Sequence, residues 1–124
     1  MAETKKELLG KILQQLRKIG DIVGSAVIST DGLPIAFDFS DRVDEETLAA
    51  MTAAMHGAAE TAVSELKQGS LKQIIIDAEG GKMITIAAGE KAILVILSKP
   101  ELNLGLALLE LGRASGKIAD VLGE

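Results

Sequence analysis

Residues 92–97 read Ala-Ile-Leu-Val-Ile-Leu, six apolar side chains in a row, with Lys91 before them and Ser98, Lys99 and Pro100 after. A run this short falls far below the ~20 residues that a membrane-spanning helix needs. As a strand it sends successive side chains to opposite faces, so neither face suits water. Such a strand belongs in the middle of a sheet that helices cover on both sides. The rest of the chain must supply the neighbouring strands and the covers.

Hydrophobic spacing gives their order. Leu8, Leu9, Ile12, Leu13, Leu16 and Ile19 recur at helical intervals among Lys5, Lys6, Lys11, Gln14, Gln15 and Lys18, which predicts an amphipathic helix from Thr4 that ends at Gly20. Residues 21–30 and 33–39 read as strands joined at Asp31-Gly32, a dipeptide suited to a tight hairpin. Pro34 cannot donate to a ladder, which puts the second strand at a sheet edge. Asp41 and Asp44 lead into a long helix over 45–67, with acids in its first turn where the helix dipole favours them, and Gln68-Gly69-Ser70 closes it. Residues 71–78, 82–88 and 91–98 form a three-stranded meander that turns at Gly80-Gly81 and Gly89-Glu90. Beyond Pro100, Leu104, Leu108, Leu111, Ile118 and Leu122 mark one stripe of a last helix. Gly105, Gly112 and Gly116 each weaken that helix by ~1 kcal/mol relative to Ala. The expected class is α+β, and 124 residues fit a single domain, 1–124.

Composition narrows the chemistry. With 48% hydrophobic residues and a mean hydropathy of +0.30, the chain is built to fold. It has no cysteine, which excludes disulfide frameworks and thiolate sites and points to a cytoplasmic protein. Residues 1–6 are polar and lack the apolar core of a secretory signal. A net charge of −5 and only two aromatics, Phe37 and Phe39, argue against nucleic acid, and no membrane insertion is expected.

Catalytic and ligand motifs fail on inspection. Gly112-Arg113-Ala114-Ser115-Gly116-Lys117 has one residue too few between its glycines for a phosphate loop, and Gly80-Gly81-Lys82 lacks the upstream glycine. His56 is the only histidine, so no multi-histidine metal site can form; it is expected at the flank of its helix, partly exposed or at an interface. Asp41, Asp44, Glu45 and Glu46 are explained by helix capping and dipole compensation. No cofactor, metal or catalytic residue is assigned, and the chain is not expected to be an enzyme.

Two surfaces go beyond what a monomer needs. On the 45–67 helix, Leu48, Met51, Met55, Ala59, Ala62, Val63 and Leu66 share a broad face expected to pack on the sheet. The opposite face carries Ala50, Ala53, Ala54, Gly57, Thr61 and Ser64, small and uncharged, and a mid-helix glycine there suggests close approach by another backbone. Ile74, Ile75 and Ile76 place β-branched residues on both faces of a strand at a free edge, which natural proteins cover or pair. These nine residues are the expected interface of a two-fold homodimer.

The stretches Val27-Ile28-Ser29-Thr30-Asp31-Gly32-Leu33-Pro34-Ile35-Ala36 and Leu102-Asn103-Leu104-Gly105-Leu106-Ala107-Leu108-Leu109-Glu110-Leu111, with the Ala-rich middle helix, resemble the roadblock family of dynein light chains and small-GTPase regulators over nearly the whole chain. The resemblance implies a sheet of order 2-1-5-4-3, with the first and third helices on one face and the second on the other, as in profilin-like topologies. It implies a dimer through the second helix and third strand, of the prokaryotic single-domain type. It also implies a non-enzymatic platform that regulates or scaffolds a Ras-like small GTPase. None of the arginines, Arg17, Arg42 and Arg113, is identified as a finger completing a GTPase site; Arg42, in the loop before the second helix, is the candidate partner contact. Two alternatives remain beside this: a structural subunit of a larger hetero-complex, and a profilin-like or PAS-like ligand-sensing module.

Overall fold

Thr4 opens the first helix by accepting a 3.1 Å hydrogen bond from the Glu7 backbone N–H, one of the donors a helix start leaves unpaired. The computed structural model describes residues 2–123. Helix α1 (Lys5–Leu16) tightens into a 3₁₀ turn at Arg17–Ile19, and Gly20 and Asp21, both at positive φ, swing the chain into strand β1 (Ile22–Ser29). Then come β2 (Pro34–Phe39), α2 (Glu45–Glu65), β3 (Gln73–Ala78), β4 (Gly81–Ala88), β5 (Ala92–Ser98) and α3 (Leu104–Val121), the last capped by Asn103. No helix among the described residues is long and apolar enough to cross a membrane.

The five strands form one antiparallel sheet in the order β2-β1-β5-β4-β3. The apolar run lies at its centre as the sequence requires, with Ile93, Leu94, Val95 and Ile96 buried. Pro34 stands on the β2 edge, where its missing N–H costs no ladder bond. Both faces are covered. Beneath α1 and α3 lies the larger cluster, in which Leu9, Leu13, Leu111 and Ile118 meet Val27, Ile84, Leu94 and Ile96. Beneath α2 lies a smaller one of Ala26, Ile28, Ala49, Ile93 and Val95, flanked by Phe37 and Phe39.

The turns differ from expectation in detail. β1 and β2 pair through Ile28 and Pro34 after a register shift, and Ser29 and Leu33 close the loop with a 2.9 Å backbone bond, so the connection is longer than the dipeptide Asp31-Gly32. The β3–β4 turn is Glu79-Gly80, and Gly81 already pairs with Ala78. Gly81 is there because the Ser98 carbonyl oxygen lies 2.0 Å from where a Cβ would stand. Gly24 likewise makes room for the Phe39 ring, 2.0 Å from its absent Cβ. Arg17 clamps the end of α1 to β2 by donating from Nε and Nη2 to the two carboxylate oxygens of Asp38.

Candidate functional site

The site begins with the seating of α2. Asp44 caps the helix by accepting from the Thr47 backbone N–H at 3.1 Å, which holds its carboxyl below the usual range, and Glu45 and Glu46 follow in the first turn. Ala49, Thr52 and His56 are the buried residues of the helix. The buried face is therefore turned by about a fifth of a turn from the one hydrophobic spacing predicts. Leu48, Met55, Ala59 and Val63 are half-buried, while Met51 and Leu66 are 66% and 70% exposed and Ala62 is exposed too. The cause is the surface below. The β1–β2 turn presses Gly32 against this helix, where an added Cβ would stand 3.5 Å from Ala53 and 3.8 Å from the Cα of Ala50, so only small side chains fit between them.

His56 is not a partly exposed flank residue. It is 3% exposed, and its Nε2 lies 2.7 Å from the Thr85 hydroxyl of β4. Burial lowers its pKa, and the charge of Glu60 one turn on opposes that shift in part. The imidazole is thus a neutral member of a polar seam between helix and sheet. Thr52, one turn earlier, buries a hydroxyl with no hydrogen-bond partner. Spacing puts His56 on the flank and gives Thr52 no place in the core because both are polar, and Thr85, the partner of His56, is 29 residues away in sequence. His56 also borders a cleft of about 420 Å³ with Thr30, Glu60, Ser64, Leu71 and Ile93. Among the described residues no group of three His, Asp or Glu side chains could hold a metal ion.

Turning α2 in this way leaves an apolar surface outside. Ala50, Ala54, Gly57, Thr61 and Ser64 are exposed, joined by Met51, Ala58, Ala62 and Leu66; Ala53 is half-buried against Gly32. From 47 to 59 the only ionisable residue is the buried His56. On edge strand β3, Ile75 and Ile76 are exposed and Ile74 is half-buried. Ile74 and Ile76 pair with Thr85 and Met83 and so share the α2 side of the sheet, whereas Ile75 pairs with Ile84 and faces the α1/α3 side. Eight of the nine candidate interface residues therefore lie on one side of the molecule. Arg42 stands apart, exposed in the loop before α2, beside a cleft of about 260 Å³ shared with Phe37, Phe39 and Val43.

The sequence matches the Roadblock/LC7 domain over residues 8–98. The uncharacterized protein MJ0310 of Methanocaldococcus jannaschii is 40% identical over 111 residues, covering 90% of this chain and 96% of that protein. A structure of MglB with a tetrameric arrangement superposes with a TM-score of 0.89 at 19% identity, covering 98% of this chain and 92% of that one. Acanthamoeba castellanii profilin IB superposes with a TM-score of 0.66 at 15% identity, covering 90% and 97%. At these identities the two structural likenesses are likenesses of fold.

Proposed function

The chain belongs to the Roadblock/LC7 domain family, and from that premise we propose that it is a homodimeric, non-enzymatic platform that regulates or scaffolds a Ras-like small GTPase. The observation that carries the reading is the exposed face of α2, uncharged from 47 to 59, on the same side of the molecule as Ile74 and Ile76 of β3, a strand whose outer edge is free. A helix face with Met51 and Leu66 in water and no Lys or Arg at any position of α2 is ill suited to stay solvated. A two-fold axis would set α2 against its copy, the small residues Ala50, Ala54 and Gly57 admitting the second backbone, and would pair β3 with β3 into a continuous sheet. The whole of 1–124 acts here as one roadblock-like unit, and Arg42, exposed in the loop before α2, is the contact for the GTPase. Such a platform works by favouring one conformation of the GTPase switch segments, a shift of populations without a chemical step.

Light scattering at micromolar concentration tests the dimer: twice the 12.9 kDa chain mass is expected, with Ala54→Arg reduced to monomer. A monomeric wild type, or an unaffected variant, overturns it. For function, the purified chain is titrated with a small GTPase from the same source in its GDP and GTP forms. Preference for one form supports regulation. Tight binding indifferent to nucleotide makes the chain a structural subunit instead.

A further inference from the structure

The two helical layers carry opposite charge. α1 with its 3₁₀ extension holds Lys5, Lys6, Lys11, Arg17 and Lys18 against a single acid, Glu7, whereas α2 holds Glu45, Glu46, Glu60 and Glu65 and no Lys or Arg. In a chain of net charge −5 this gathers cations on the α1/α3 side. Between α1 and α3 runs a furrow made of two adjoining cavities of about 260 and 370 Å³ that share Gln15, Glu110 and Lys117. Lys11 and Lys18 stand on its α1 wall, Arg113 and Lys117 on its α3 wall, and Ile12 and the exposed Leu106 add apolar surface.

Three of those cations are available. Among the described residues Lys18 and Lys117 have no ion-pair partner, and Arg113 meets only Glu110, a half-buried neighbour on its own helix, at 3.2 Å, a contact that binds it weakly, whereas Lys11 is already paired with Glu3. On the outer crest of α3 Leu109 is exposed, and a Cβ added at Gly116, or at Gly112 on the flank away from the furrow, would meet nothing in this chain. Glycine weakens a helix interior, and no contact within the chain requires it at either place.

We propose that the α1/α3 furrow docks an acidic amphipathic helix of a partner protein. Carboxylates at helical spacing reach the cations on both walls, and apolar side chains of the same helix cover Ile12 and Leu106. The shape selects a helix over an anionic lipid surface. The cations line a concavity that a flat headgroup layer does not enter, and Glu110 sits among them. The surface lies across the sheet from α2, so this inference goes beyond the dimer and does not depend on it.

The probe is a fluorescein-labelled synthetic peptide helix with Glu and Leu on opposite faces, titrated with the full chain and followed by anisotropy. Saturable binding is expected, weakening with salt. It should fall at least about tenfold, which is about 1.4 kcal/mol, for the K18E/K117E double variant and for the milder K18Q/K117Q pair, while Ala54→Arg on α2 leaves it unchanged. Circular dichroism checks that each variant is folded. Absence of saturable binding overturns the proposal, as does equal binding of a scrambled peptide of the same composition. So does binding of phosphatidylserine vesicles, with the same dependence on Lys18 and Lys117, in place of the peptide.

Discussion

His56 is held neutral where helix meets sheet, so its proton affinity is lower in the folded chain than in the unfolded one, where a histidine titrates near ~6.5. Below that value the unfolded state binds the extra proton, and stability must fall as pH drops, until the folded-state pKa is passed. The groups that face the ring are Thr85 from β4 and Glu60 from α2 itself, and Glu60 softens the effect without reversing it. The urea midpoint of the wild type is therefore expected to fall between about pH 7.5 and about pH 5.5, and that of His56→Gln to fall less. Thr52 offers a test of opposite sign. Its hydroxyl is buried and unpartnered, so Thr52→Val, which keeps the shape, should stabilise by about 1 kcal/mol, read from the same denaturation curves. Neither residue is legible in the sequence as part of the core, because hydrophobic spacing gives a polar side chain no weight toward burial, and the Thr85 partner of His56 lies on a distant strand.

At the level of elements, α1 and α3 follow from spacing because large aliphatic residues form their buried stripes, Leu9, Leu13 and Leu16 in one and Leu111 and Ile118 in the other. In α2 the same reasoning finds a helix and assigns it the wrong buried face. Met51 and Leu66 dominate any hydrophobic average, yet the narrow seat beside Gly32 admits only alanine-sized groups, and the rest of the contact is the hydrogen-bonded His56. The small-residue face was readable and is exposed; its enlargement by Met51, Ala62 and Leu66 was not. Gly57 permits an experiment on that face. Nothing in the chain lies within 4 Å of a Cβ placed there, so Gly57→Ala should strengthen the helix by about 0.8–1 kcal/mol in dilute monomer. If a second α2 crosses there, the same methyl weakens association, visible as a dimer dissociation constant raised in sedimentation equilibrium while the melting temperature of the monomer rises.

For the molecule as a whole, one short run of sequence organises the rest. Leu94 sits on β5 between β1 and β4 under both α1 and α3, and Leu94→Ala should cost about 2–5 kcal/mol, measured by chemical denaturation. The exposed Leu106→Ala should change stability by no more than about 0.5 kcal/mol, so that its effect on peptide docking reads out the furrow alone. The strand order carries a further consequence for how the chain comes to be folded. β1 with β2, and β3 with β4, are hairpins of neighbouring segments, but only β5 joins the two pairs, and it is the last strand in the chain. On a ribosome that emits the polypeptide from its N-terminus, both hairpins must wait, each with both outer edges raw, until residues 92–98 emerge. Assembly is then a late event set by a contact that spans more than half the chain, and a ribosome stalled before Ala92 would display two sticky ribbons in place of a sheet.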